Sequence, residues 1–332
     1  MLTAAEAAAT VQPDWREKHM HTVPLGTSSL NVSRLCYGCW RIAGWSPNEV
    51  TPSLQESARR AILTAYEAGY TLFDHADIYC HGVAEEIFGK VLKEVSGMRD
   101  RVVIATKCGI RRKGDPTPAM PARWDFSASY IIAAAEASLR RLGVETVDVL
   151  MLHRPDYLAD PGEIARAFTQ LKEAGKARFF GISNFRPSLA AAVQAACHFP
   201  LVTHQVEISL AKLDVFTDGT LDQCLAMKMT PMAWSPLAGG QIADGAQRLL
   251  PSQQSYLIPP IVETLNLVAK ERGVSRSTVA LAWLMKHPSK IIPIVGSTDP
   301  ARIREATKAA EIDLTREEWY RLFVAANGAP LP

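Results

Sequence analysis

An α/β fold of the (β/α)8 TIM-barrel type, preceded by an N-terminal β-hairpin, is what the sequence predicts. Three observations lead there. From about residue 20 onward, short apolar, β-branched runs alternate with alanine-rich amphipathic stretches. Eight such runs occur, about 30–40 residues apart, as parallel strand–helix units require. The competing open sheet usually carries Gly-x-Gly-x-x-Gly after its first strand. Here that position reads Arg41-Ile42-Ala43-Gly44-Trp45.

The elements come in order along the chain. Residues 22–25 and 28–32 flank Gly26 and read as a hairpin. Residues 34–40 (RLCYGCW) form the first barrel strand, and a helix from about 53 stops at Gly69. Strand 70–74 and a helix over 84–95 come next, with Gly97 after it, then strand 102–107. The segment 108–126 reads as a long loop, and loops of that length are usually functional. Ser127 caps a helix ending near 142–143. Then come strand 147–152, helix 160–174, strand 177–183, helix 187–197, strand 202–207, a short helix 220–227 and strand 231–235. A loop rich in Gly, Gln and Pro covers 236–260. Helices 261–272 and 277–286, strand 291–295, helix 300–310 and a turn or two near 316–325 complete the chain. The expected organisation is a tail over 1–20 and a single domain over 21–332.

With 36 basic and 34 acidic residues, nothing marks a nucleic-acid binder or a partner of anionic membranes. No apolar run approaches the ~18 residues of a spanning helix, and the N-terminus lacks the pattern of a signal peptide. Of six cysteines only Cys36 and Cys39 make a C-x-x-C, with no second pair. Reduced thiols packed as small hydrophobes in a cytoplasmic protein are expected.

The chemistry lies in the polar residues at the strand ends. In order these ends carry Asp74 and Tyr79, Lys107, His153, Ser183 and Asn184, Gln205, Trp234 and Ser235, and Gly296 and Ser297. A barrel gathers them at one opening. Asp, Tyr, Lys and His together handle protons. A free tyrosine has a pKa of about 10; a nearby ammonium favours the phenolate, so Lys107 is expected to lower the pKa of Tyr79 while Asp74 holds Lys107 in place. His153 would orient a carbonyl oxygen. A metal site at His75, Asp77 and His153 is disfavoured, because Lys107 would repel the cation; no metal is expected. His75 is expected to be a hydrogen-bonded structural residue, and Arg111-Arg112-Lys113 a solvated face. Trp40, Trp45 and Trp124 lie in or beside loops at the same opening and are candidates for lining a substrate pocket.

The pieces FDHADIY (73–79), IATK (104–107), LMLHRPD (150–156), GISNF (181–185), HQVE (204–207), AWSPLAGG (233–240) and PIVGST (293–298) occur in an order and at spacings that resemble the aldo-keto reductase family. The resemblance runs from about 22 to 310, and within the family it is closest to bacterial oxidoreductases of the YdhF type. It implies NADPH (NADH being possible) bound without a Rossmann fold, and reduction of a small-molecule carbonyl substrate. By that resemblance Asp74, Tyr79, Lys107 and His153 match the catalytic tetrad, with Tyr79 as general acid. Ser183, Asn184 and Gln205 match the residues that hold the nicotinamide carboxamide, and Trp234 the stacking aromatic. Ser235, Pro236, Leu237, Gly239 and Gly240 match the pyrophosphate segment. Gly38, Cys39 and Gly296 match strand-end positions at the cofactor. Ser297 and Arg302 match positions near the adenosine ribose phosphate, and Glu305 a position near the adenine. The departures are Cys80, where glycine is common, Ala306, where the family often has Asn, and Trp234, often Tyr. Two other readings stay open: a slow NADP(H)-binding regulatory subunit, and a metal-dependent hydrolase. Oligomeric state is not legible.

Overall fold

The computed structural model describes residues 20–243 and 249–331. The expected tail over 1–20 therefore lies outside the described residues, apart from Met20. Strands are numbered in chain order: β1 (Thr22–Pro24), β2 (Asn31–Ser33), β3 (Cys36–Gly38), β4 (Leu72–Asp74), β5 (Val103–Cys108), β6 (Ile110–Arg111), β7 (Arg123–Trp124), β8 (Val147–Leu152), β9 (Ala177–Ser183), β10 (Leu201–Glu207), β11 (Thr230–Trp234) and β12 (Ile292–Val295). Eight of them close a barrel in the order β10-β11-β12-β3-β4-β5-β8-β9. Both ring pairs that include β3 are parallel, from Ile294↔Cys36 through Gly38↔Asp74. The expected (β/α)8 architecture is present, with helices between strands.

The period of two sorts the strand side chains. Cys36, Leu72, Val103, Val149, Val202, Met232 and Ile292 point inward and form one buried cluster. The antiparallel hairpin β1–β2 plugs the bottom of that cluster with Leu25, Leu30 and Val32. Gly26 makes the plug possible: a Cβ there would lie 2.2 Å from the Val202 carbonyl oxygen. Outward residues such as Leu35, Tyr37, Phe73 and Leu150 pack instead against the helices in a second, larger cluster. Each fully buried aliphatic or aromatic side chain contributes about 1.5–3 kcal/mol. Since the hairpin closes the amino ends of the strands, only the carboxyl ends are open for chemistry.

The helices are α1 (Pro52–Glu67), α2 (Val83–Glu94), α3 (Met98–Arg101), α4 (Ala128–Leu142), α5 (Pro161–Glu173), α6 (Pro187–Ala196), α7 (Thr220–Ala226), α8 (Pro259–Arg272), α9 (Arg276–Met285), α10 (Pro300–Thr307) and α11 (Arg316–Asn327). Ser127 caps α4 as expected, accepting from the Tyr130 amide. Among the described residues no helix is long and apolar enough to cross a membrane. All six cysteines are buried free thiols.

Two expectations change. The run 34–40 keeps strand pairing only over Cys36–Gly38; Cys39–Arg41 coil into a 3-10 turn that carries Trp40 over the mouth. The segment 108–126 is not a plain loop. It folds back as the antiparallel pair β6–β7, and Arg111 clasps it by reaching Asp115 and Asp125, each at 3.0 Å. Arg112 donates to the Ile78 carbonyl at 2.6 Å. Two members of the supposedly solvated basic run are thus tied down.

Candidate active site

The strand β4 ends in Asp74, but the chain beyond it stays attached to β5. The His75 amide donates to the Ala105 carbonyl and the Asp77 amide to the Lys107 carbonyl. This steers Tyr79 back over Lys107, which β5 points inward and which is fully buried. The three N–H bonds of the Lys107 ammonium are all committed, to Asp74 Oδ2 at 2.8 Å, the His75 carbonyl at 2.7 Å and Tyr79 Oη at 2.9 Å. An ammonium has three donors and no acceptor, so it is saturated and its burial is compensated. Burial alone would lower its pKa, but Asp74 and then Tyr79 outweigh that and hold it above the usual lysine range.

The Tyr79 oxygen accepts from Lys107, so its own proton is left for another acceptor. The phenol is not more acidic than usual. Burial dominates and pushes it up to about 12, against the downward pull of Lys107. The expectation of a lowered value is corrected: desolvation of the anion exceeds the Coulombic gain from one ammonium already shared with Asp74. At neutral pH the phenol holds its proton.

His153 follows β8, and its ring meets Tyr79 edge to face at 5.9 Å. Burial, then Lys107 and Arg154, drive its pKa well down, so the imidazole is neutral. Its Nδ1 is buried with no hydrogen-bond partner among the described residues. Asn184 holds this region together. Its amide nitrogen donates to the His153 carbonyl at 3.1 Å and to Ser183 Oγ at 2.8 Å, while its oxygen accepts from Trp234 Nε1 at 2.9 Å. Gln205, from β10, donates to Asp74 Oδ1 at 2.8 Å. That bond was not legible from the sequence, because β10 and β4 lie on different sides of the ring.

The aromatic candidates divide. Trp40 lies 6.4 Å from the Tyr79 ring and 4.8 Å from Trp45, so these two reach the mouth. Trp124, in β7, pairs instead with exposed Tyr157 at 5.5 Å. Among the described residues His75 makes no ring hydrogen bond. It is fully buried against Phe88 at 4.5 Å, and burial lowers its pKa to about 3. The expected hydrogen-bonded histidine is a packed neutral one.

Cys80 has a φ of 47° and His81 of 56°, the left-handed region that disfavours side chains. That explains why glycine suits position 80 and what is unusual about a cysteine there. Two nearby carboxyls, the buried Glu85 and the partly buried Asp77, act on one another electrostatically. Glu85 accepts from Thr106 Oγ1 at 2.6 Å and from Arg141 Nε at 2.7 Å. Burial and then Glu85 raise the Asp77 pKa to about 8, and Asp77 Oδ1 has no partner among the described residues. A folded pKa above the unfolded one gives stability that is full below about 4 and lost as pH rises towards 8. Asp77→Asn is therefore expected to stabilise the protein at pH 7 by on the order of 2 kcal/mol, and the gain should shrink by pH 5. Urea unfolding at both pH values checks this; an Asn variant no more stable at pH 7 would contradict it.

The remaining residues matched to the cofactor come from the ends of β3, β11 and β12 and from α10. Ser235, Ala238, Gly239 and Gly240 have φ values of 51°, 51°, 69° and 103°. These values make consecutive tight turns, in which the Ala238 amide donates to the Ser235 carbonyl and the Gly240 amide to the Leu237 carbonyl, each at 2.8 Å. Pro236 and Leu237 lie within them. The floor beside them is close-fitting. A Cβ on Gly38 would lie 2.6 Å from Ile294 Cγ2, next to buried Cys39. A Cβ on Gly296 would meet nothing within 4 Å. Ser297 offers its carbonyl to Tyr37 Oη at 3.0 Å and its Oγ to the Asp299 amide at 3.1 Å. Arg302 is exposed on α10, whose N-terminus is capped by the Asp299 carboxylate. Glu305 pairs with Lys308 at 2.7 Å. Of these residues, Arg302 carries the positive charge that an anionic dinucleotide would need. Among the described residues no group of three or more His, Cys, Asp or Glu converges as metal ligands.

Residues 34–324 match the Aldo/keto reductase family. A "6-dehydroglucose reductase" of Novosphingobium aromaticivorans is 39% identical over 314 residues, 93% of this chain and 96% of the relative. The oxidoreductase YdhF of Escherichia coli is 36% identical, over 90% and 95%. The crystal structure of a thermostable aldo-keto reductase, Tm1743, with the inhibitor epalrestat superposes with a TM-score of 0.78 at 26% identity, over 92% of this chain and all of that one. A match of that extent, carried by a barrel of this topology, makes the chain a member of the aldo/keto reductase family of oxidoreductases.

Proposed function

We propose that the chain reduces small aldehydes or ketones to alcohols with NADPH, Tyr79 giving the proton. The observation that carries this reading is the saturated Lys107, which accepts nothing and fixes the Tyr79 oxygen as an acceptor. The phenol hydrogen is thereby aimed at whatever binds over the mouth. When bound, a reduced nicotinamide supplies the hydride to the carbonyl carbon. As negative charge grows on the substrate oxygen, Tyr79 donates, and its own developing charge falls on Lys107. Neutral His153 gives a second hydrogen bond to that oxygen. Asp74, held by Gln205, keeps the ammonium in place.

Asn184 and Ser183 hold the carboxamide side, and Trp234 offers a ring to stack on. The left-handed segment 235–240 takes the pyrophosphate. At the adenosine end Arg302 and Ser297 favour a phosphorylated ribose, although the Asp299 carboxylate stands close by. The name of the 39%-identical relative supports a sugar-sized polar substrate. Titration of the protein with NADPH and with NADH, followed by tryptophan fluorescence, is expected to show tighter binding of NADPH. A carbonyl panel should then show NADPH oxidation. Equal affinity for both dinucleotides would remove the phosphate preference, and no oxidation with any carbonyl would remove the reductase reading.

A further inference from the structure

Arg154 stands directly after His153 at the carboxyl end of β8, between the catalytic candidates and the cofactor-side residues. Its guanidinium lies 5.3 Å over the ring of Trp234. It is partly buried, and burial lowers its pKa. Among the described residues it makes no hydrogen bond and no ion pair. A partly desolvated cation with neither a hydrogen bond nor an ion pair costs stability, which makes it a candidate for contact with an anionic ligand.

The contact it does make leaves its donors unused. Stacking over an aromatic ring occupies the guanidinium face, while the five N–H bonds project from the edge. The one carboxylate that acts on it electrostatically is Glu207. That side chain is engaged elsewhere: its Oε1 accepts from Gln253 Nε2 at 2.8 Å and from Tyr256 Oη at 2.9 Å. Arg154 follows His153, whose ring meets Tyr79 at 5.9 Å, and it stands over Trp234, which Asn184 ties back to the His153 carbonyl, so it lies beside the reacting groups. Trp40 and Trp45 form the apolar wall of the opening. Beside the proton donor Tyr79 thus stand an aromatic pair and one cationic fork with no hydrogen bond of its own among the described residues.

We propose that Arg154 determines substrate specificity by binding a carboxylate or phosphate carried by the carbonyl substrate. The proposal rests on the reductase reading above and deepens it: the preferred substrates are acidic aldehydes or ketones, with the oxyanion in the fork of Arg154 and the carbonyl oxygen at Tyr79. The same fork chemistry suits a phosphate of the dinucleotide, so the test separates the two sources.

Benzaldehyde and 4-carboxybenzaldehyde differ only in the oxyanion. The wild-type protein is expected to prefer the carboxylated aldehyde in kcat/KM by about tenfold or more. In Arg154→Met, which keeps the stem and removes the charge, KM for that aldehyde should rise about tenfold, with benzaldehyde within about twofold of wild type. Arg154→Lys should restore part of the preference. The NADPH dissociation constant, read by fluorescence, should not change. Three results would overturn the proposal: no preference in the wild type, equal losses on both aldehydes, or weaker NADPH binding with the preference intact. Calorimetric titration of 4-(hydroxymethyl)benzoate into the protein with NADP+ reads the same contact without turnover. Binding at least tenfold weaker in Arg154→Met upholds the proposal even if neither aldehyde is reduced, an outcome that would sink only the reductase reading. Equal binding by both proteins overturns it.

Discussion

Replacing Tyr79 by phenylalanine is expected to lower kcat for carbonyl reduction by about 100- to 10,000-fold, the range a positioned general acid supplies. The ring and its contact with Trp40 stay, so NADPH binding should be nearly unchanged. Lys107 loses one of its three acceptors in a buried site, which costs about 1–3 kcal/mol of stability. A fluorescence titration with NADPH, a urea transition and steady-state rates separate these effects. Near wild-type turnover in a folded, cofactor-binding variant would show that the proton comes from elsewhere. With the phenol at about 12, the wild-type rate should not fall across neutral pH through loss of this proton.

Replacing Lys107 by methionine should be still more costly, and in two ways. The Asp74 carboxylate is buried, and without the ammonium its remaining side-chain partner is Gln205. Stranding a buried charge costs about 3–5 kcal/mol. Activity should fall as well, since the anion developing on Tyr79 loses its counter-charge. The double variant Lys107→Met with Asp74→Asn tells the two apart. Removing both charges should recover most of the lost stability, because a neutral pair is no longer stranded. Activity should stay low. Recovery of turnover in the double variant would show that Lys107 serves only to neutralise Asp74.

Much of this architecture is legible in the sequence. The eight strands announce themselves as short apolar runs, several of them rich in β-branched residues, and the helices between them force parallel pairing. The gathering of Asp74, Tyr79, Lys107 and His153 follows from that topology. What the sequence hid is of three kinds. The pair β6–β7 has two residues per strand, too short for any periodicity, and depends on Arg111 reaching Asp115 and Asp125. The Gln205–Asp74 bond joins residues 131 positions apart, and nothing local marks it. The acidity of Tyr79 depends on how much water reaches it, a tertiary property, so counting charges alone pointed the wrong way. The stacking of Arg154 over Trp234 was likewise silent, since it joins residues 80 positions apart.

A sheet that closes on itself offers no unpaired strand to another polypeptide. In an open sheet the outer strands expose a row of amides and carbonyls on which a second chain can add. Here β12 pairs with β3, and the row is used up. Outside the ring, the described strands are the three-residue strands of β1–β2, one of which ends in Pro24, and the two-residue strands of β6–β7. None is long enough to template an added strand. Any association of the folded described region with copies of itself must therefore use helix faces and loops, and strand-mediated aggregation requires the ring to open first.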